Sequence, residues 1–283
     1  NIYTSGSVNG TPVGYNAIGG VIGVINNGGT TVSNVYSTAS VTASGGTRGS
    51  VIGYSSGNAH PVVISNVYGT GAVSIGGGGA AGGLIGFNDA GSTIKNSFWD
   101  TDTTGYSASN GGNGGTFTNV SGGCFSGTCS NGGTANLSAL STFTNAGWNI
   151  SATPSISSST PNSIWFMFAG STRPMLMMEY NTNVSNSHQL QLMGAALNAN
   201  YSLANNIDLH SDMNNKSEVW NSNAYTASGA GFHPIGVGNG TNAVTGTEFT
   251  GALNGNGYTI SNLYERYPVD SENTGLFGTI STG

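Results

Sequence analysis

A short phrase recurs three times between residues 18 and 104, and it constrains the fold more than anything else in the chain. Its first half is a small residue, two bulky apolar residues and a glycine: Gly20-Val21-Ile22-Gly23, Ser50-Val51-Ile52-Gly53 and Gly83-Leu84-Ile85-Gly86. Its second half is a β-branched residue, a polar residue, Asn, any residue and an aromatic. It reads Val32-Ser33-Asn34-Val35-Tyr36, Ile64-Ser65-Asn66-Val67-Tyr68 and Ile94-Lys95-Asn96-Ser97-Phe98. The apolar pair returns after 30 and then 33 residues, and the Asn after 32 and then 30. Both halves reappear downstream in reverse order, as Ile260-Ser261-Asn262-Leu263-Tyr264 and Gly275-Leu276-Phe277-Gly278. Self-similarity at a fixed period of roughly 20–50 residues is the mark of a stacked repeat array.

Short apolar or alternating runs such as Val21–Ile25 and Val62–Tyr68 are separated by Gly/Ser/Asn/Thr clusters, which predicts short strands joined by tight turns. No segment of ten or more residues combines a helical apolar period with caps. Spacing between the two half-phrases varies, with 11, 13 and 10 residues from the glycine to the Asn, as expected for loops leaving a regular stack. A chain that turns at the same place in every repeat needs a residue that tolerates the left-handed region, and Asn does so better than other non-glycine residues. Asn34, Asn66, Asn96 and Asn262 are therefore expected at structural turns, their amides stacked as a ladder. The Val/Ile and Tyr/Phe positions beside them would form interior columns.

Charged residues are only 6% of the chain and glycine fills 48 positions, a composition that raises the question of disorder. Against disorder stand a net charge of only −6 and 12 Tyr, 10 Phe and 4 Trp, many at recurring places. Five Lys+Arg provide no electrostatic footprint for nucleic acid, and no apolar run is long enough to insert in a membrane. The sequence opens on the tail of the phrase (Asn1-Ile2-Tyr3) and stops soon after a fresh first half, so the expectation is a segment cut from a longer chain. Residues 1–104 hold the repeats. Residues 105–136 are a Gly-rich loop region with Cys124 and Cys129, residues 137–200 continue the stack or connect irregularly, and 201–283 open a second run.

The Gly-Leu/Val-Ile-Gly and Ser-Asn-Val-Tyr phrases resemble the GLUG repeat of large secreted bacterial surface proteins, including filamentous-haemagglutinin-like adhesins of the two-partner secretion type. Asn96–Gly105 resembles the usual end of a run of such repeats. Ser141-Thr142-Phe143 with Ala146–Ile150, and Ile164-Trp165 with Arg173-Pro174, resemble the segment that commonly follows. Tyr201–Leu209, His233–Gly236 and Phe249–Leu263 resemble the lead-in to the next run. Ser50 in place of the first Gly and Lys95 in place of Ser depart from the pattern. The resemblance implies an all-β fold, a right-handed parallel β-helix (solenoid) with Gly/Ser/Asn-rich projecting loops. It also implies an exported protein on the bacterial cell surface, with host or neighbouring-cell glycans or proteins, or further copies of itself, as partners.

β-Helices also carry sugar-cleaving enzymes and tailspikes, whose sites need convergent carboxylates with basic groups nearby. Asp208, His210 and Asp212 are the only local cluster. On a strand this Asp-x-His-x-Asp run would point all three side chains to one face, for metal or acid/base work; a solvated turn after Ile207–Leu209 is the favoured reading. Asp100 and Asp102 resemble the start of a calcium loop but lack its later ligands, which favours an Asp-capped turn. Cys124 and Cys129 suit a small disulfide ring more than a metal pair, since no His or further Cys lies nearby. Trp220, Tyr225 and Phe232 could stack on sugars, although interior packing is the safer reading. The expectation is a non-catalytic segment without cofactor, acting in attachment, with binding on loops 105–136 and 211–248. Gly275–Gly283 could run into Asn1, so a structural fibre in which 283 residues form one period is a further alternative.

Overall fold

The computed structural model describes the chain except residues 12–15, 27, 59, 75–77, 113, 158, 238–246, 267–272 and 283. Strand residues make up 39% and helical residues 11%, so the protein is β-rich, and most of its sheets are parallel. It divides into two compact units, Asn1–Trp148 and Asn149–Gly283.

In the first unit, strands of equal rank in successive repeats pair with one another. The largest sheet runs through Ile2–Thr4, Thr31–Ser37, Val62–Gly69, Ser92–Asp100, Thr116–Cys124 and Ala135–Asn136, all parallel. The recurring phrase fixes its register: Tyr3, Tyr36, Tyr68 and Phe98 are neighbours, as are Val32, Ile64, Ile94 and Phe117. Ile22–Asn26, Ile52–Ser56 and Ile85–Asn88 make a second parallel sheet, and Ala17–Gly19, Thr47–Gly49 and Ala81–Gly82 a third. One side chain per repeat therefore falls into each column. Val35, Val51, Ile52, Val62, Ile64, Val67, Leu84, Ile85 and Ile94 form the dry core, and burying each is worth about 1.5–3 kcal/mol.

Each half of the phrase makes one corner. In the first half a single carbonyl of the next repeat accepts two amides. Val21 and Ile22 N–H donate to Val51 O, Val51 and Ile52 to Leu84 O, and Leu84 and Ile85 to Ser109 O, at 2.9–3.3 Å. The closing glycine is needed because backbones meet there. A Cβ on Gly86 would lie 2.5 Å from Arg48 N and from Gly53 O. In the second half the corner is the Asn. Asn34, Asn66 and Asn96 have φ of 55°, 54° and 50°, left-handed values that few non-glycine residues adopt. Tyr3, Tyr36 and Tyr68 then stack at 4.5 and 4.9 Å. Phe98, Phe143 and Trp148 continue the aromatic packing, and Trp148 Nε1 donates to Asn96 O at 2.8 Å. Phe143 is carried by the short helix Leu140–Asn145.

The Gly-rich stretch 105–136 is not all loop. Thr116–Cys124 is a nine-residue strand continuing the main sheet, with Asn119 at φ 53° and its Nδ2 donating to Asn96 Oδ1 at 2.9 Å. Thr118-Asn119-Val120 does repeat the core of the phrase, but without the aromatic and only 23 residues after Asn96.

The second unit is less regular. Its sheets have two or three short strands: Ile150–Ser151 with Trp165–Phe166 and Met175–Leu176, Asn183–Val184 with Asn200–Leu203 and Ala252–Asn254, and Ile207–Asp208 with Ile260–Ser261. One pair, Trp165–Phe166 with Met175–Leu176, is antiparallel. The Asn-Gly-Asn-Gly run is a corner between strands of two different parallel sheets, and Asn262 again takes the left-handed conformation at φ 56°.

Candidate functional site

Asp208, His210 and Asp212 do not share a face. The strand ends at Asp208 and a helical turn, His210–Met213, begins two residues later, so the period changes from two to about 3.6 within the run. Asp208 is exposed; it accepts from Asn262 Nδ2 at 2.7 Å and from His210 N–H at 2.9 Å, and these bonds hold its carboxyl below the usual range. Asp212 instead turns inward. Burial raises its pKa, and the Glu218 charge adds to the rise. Among the described residues no group of three or more His, Cys, Asp or Glu is placed to hold a metal.

Asp100 and Asp102 are both occupied as caps. Asp100 Oδ1 accepts from Asp102 and Thr103 N–H at 3.0 Å and starts the helix Thr101–Thr104. Asp102 Oδ1 accepts from Ser130 and Asn131 N–H at 2.8 and 3.0 Å, tying down the loop after the cysteines. Cys124 and Cys129 are joined as a disulfide. The stretch 211–248 is not a projecting loop throughout where it is described, and residues 238–246 lie outside the description. Met213, Val219, Trp220, Phe232 and Ile235 are fully buried.

What that packing surrounds is a buried polar centre that the sequence reading missed. The helix Ser187–Leu192 starts at Asn186, whose Oδ1 accepts from Gln189 N–H at 2.9 Å. One face of it turns His188 and Gln191 inward. His188 Nδ1 lies 2.7 Å from Glu179 Oε2 and its Nε2 3.3 Å from Glu218 Oε2, with the imidazole only 5% exposed. Burial opposes its protonation, but the bonds to the two carboxylates outweigh burial and raise its pKa to about 10. At neutral pH it is an imidazolium between two carboxylates. Gln191 Oε1 accepts from Trp220 Nε1 at 2.7 Å and from His233 N–H at 2.9 Å, while its Nε2 donates to His233 O at 2.8 Å. Fully buried Arg173 donates to the carbonyls of Lys216 and Glu218 and to Asn221 Oδ1. Two features of the sequence point there: an Asn186-x-x-Gln189 helix start, and Glu179 at the end of the apolar run Met175–Met178 in a chain with few charges. The cluster is mostly buried, with the Glu179 side chain 12% exposed, and its chemistry is to join three segments of chain.

The open surface beside it is different. Tyr225 is 74% exposed, yet it is fixed at both ends. Its N–H donates to Asn214 Oδ1 at 3.0 Å and its hydroxyl lies 2.6 Å from His210 Nε2, with the two rings edge to face at 5.4 Å. Asn214 Nδ2 in turn donates to His210 O at 2.8 Å. Of the three aromatics weighed for sugar stacking, Trp220 and Phe232 lie in the core and Tyr225 alone is presented to solvent. A rigid exposed ring of this kind offers a flat apolar face at little entropic cost. No protein-family model matches the chain, and neither a curated protein nor a solved structure matches it.

Proposed function

We propose that the chain is a non-catalytic segment of a large secreted bacterial surface adhesin or filament of the GLUG-repeat type. In this reading the repeats wind as a right-handed parallel β-helix that serves in attachment or as a stiff extracellular stalk. The observation that supports it most is the register of the first unit. The same phrase meets itself across the main sheet, with the left-handed Asn at the corner of Asn34, Asn66, Asn96 and Asn119. Hydrogen bonds between repeats leave few strand edges along the stack, which suits a rod outside the cell, and a disulfide suits an oxidising exterior.

Attachment would rest on the Tyr225 face, with surface glycans of a host or neighbouring cell as partners, rather than nucleic acid or a membrane interior. The test is glycan-array and cell-surface binding of the purified chain beside Tyr225→Ala and Cys124→Ser. Selective binding that Tyr225→Ala abolishes and Cys124→Ser retains supports attachment through this face. Absence of binding to any glycan or cell surface removes the attachment role and leaves the stalk.

A further inference from the structure

The Tyr225 ring does not stand alone on its face. A run of hydrogen bonds ties it to the end of a strand pair in the same unit. The Tyr225 hydroxyl lies 2.6 Å from His210 Nε2, His210 N–H donates to Asp208 Oδ1 at 2.9 Å, and Asn262 Nδ2 donates to the same oxygen at 2.7 Å. Asp208 sits where Ile207–Asp208 pairs with Ile260–Ser261, and Asn262 follows at its left-handed corner. Asp208, His210, Tyr225 and Asn262 are all exposed, so three segments of chain hold one fixed polar arrangement beside an aromatic ring.

The two ends of this run suit different parts of one ligand. An ionised carboxylate only accepts hydrogen bonds, and its two oxygens offer about four acceptor sites. His210 N–H and Asn262 use two of those on Asp208 and Ser261 also bonds the group, so capacity remains for a donor arriving from solvent. The face of a tyrosine ring is electron-rich and takes C–H groups or a cation. A pyranose has both parts, a face of C–H groups and a rim of hydroxyl donors. The connection runs through His210, from its backbone N–H at the carboxylate to its Nε2 at the ring hydroxyl. A small cation would satisfy the ring or the carboxylate, whereas a sugar ring is large enough to reach both.

We infer that Asp208 is the specificity-determining acceptor of this face: it takes a hydroxyl of a neutral pyranose whose C–H face lies on Tyr225. The inference rests on the glycan-binding reading of the Tyr225 face and adds to it the residue that recognises the sugar and the part of the sugar recognised.

The test is saturation-transfer NMR of the full chain with the methyl β-pyranosides of glucose, galactose, mannose and N-acetylglucosamine, each beside its fully O-methylated form. At least one pyranoside is expected to bind, with the strongest transfer to its ring C–H protons. Its O-methylated form, which keeps the C–H face but has no hydroxyl donor, should bind at least tenfold more weakly. Asp208→Asn keeps one acceptor oxygen for His210 and Asn262 and replaces the other by a donor. It should weaken the pyranoside about tenfold and leave the O-methylated form unchanged, while Tyr225→Ala should lose both. Wild-type affinity in Asp208→Asn, with binding still lost in Tyr225→Ala, overturns the role of Asp208 and leaves the glycan reading in place. Binding that survives Tyr225→Ala overturns both. Failure of all four pyranosides overturns the inference, and a blank glycan array beside it overturns the glycan reading as well. A stronger response to methylguanidinium than to any pyranoside, lost in Asp208→Asn, would make this a cation site and overturn the sugar.

Discussion

Residues 1–148 and 149–283 bury their interiors by different means. The first unit applies one solution again and again: the same apolar pair, the same glycine corner and the same left-handed Asn in each repeat. Its stability is spread over equivalent positions, as in other repeat architectures where each unit contacts its neighbours. The second unit has short sheets, three to six-residue helices and an interior that contains Glu179, His188, Gln191, Arg173 and Glu218. Repetition spreads the cost of any single change, whereas a buried ionic centre concentrates it. The two halves of one chain should therefore respond unequally to mutation and to pH.

The largest inequality is expected from His188→Ala. It removes the cation between Glu179 and Glu218 and leaves two mostly buried carboxylates facing each other, with Asp212 close by. Breaking a buried pair in this way costs about 3–5 kcal/mol. Differential scanning calorimetry should show the transition of the second unit fall far below its wild-type temperature while that of the first unit stays in place. A common shift of both transitions would show that the units do not unfold separately.

Titration comes next in size and also belongs to the second unit. His233 is held neutral in the fold, with a pKa of about 4 against about 6.5 when unfolded. As pH falls through that window the unfolded chain takes up a proton that the folded one refuses, so stability declines by about 3 kcal/mol. His188 acts in the opposite direction. Its raised pKa contributes stability that is complete below about 6.5 and is lost as pH rises towards about 10. Denaturation of the second unit should thus be most difficult near pH 6–7. His233→Phe should flatten the acid limb alone.

These residues also mark what could be read from the chain before its structure. The Asn at φ near +50° was readable because one local cause, tolerance of the left-handed region, acts on one residue type at a fixed place. The buried centre was not, because Glu179 and Glu218 are brought to His188 from 9 residues before and 30 after it by packing. Composition misled at 116–124: glycine and serine suggested a loop, but Gly122 and Gly123 are small because Trp99, Thr101 and Ala135 pack against them. At Asp208–Asp212 the less favoured of the two readings, three side chains on one face, needed a strand period throughout, and the strand ends at Asp208 before the helical turn His210–Met213.

Reduction of Cys124–Cys129 should affect the first unit, modestly. The bridge spans a sequence separation of 5 at the last strands of the main sheet. A ring that short constrains the unfolded chain by about 2 kcal/mol on the chain-entropy model. Hydrogen exchange should show faster opening at 121–136 in Cys124→Ser/Cys129→Ser, with little change at Val62–Gly69.

The smallest effect is the sharpest test of why the repeat contains Asn. If the left-handed corner is the reason, Asn66→Ala places a Cβ residue that disfavours φ 54° and should destabilise the first unit by about 1 kcal/mol. Asn66→Gly relieves the steric term but adds unfolded-state entropy, so it should fall within about 0.5 kcal/mol of wild type. If instead the side-chain ladder holds the corner together, glycine would cost as much as alanine, since both remove the amide. Asn96 is the position for comparison, because its Oδ1 accepts from Asn119 Nδ2 at 2.9 Å. There Asn96→Gly should cost more than Asn66→Gly by the worth of one exposed hydrogen bond, on the order of 0.5 kcal/mol. Equal costs at the two positions would assign the Asn to backbone geometry alone, measured as paired denaturant midpoints of the first unit.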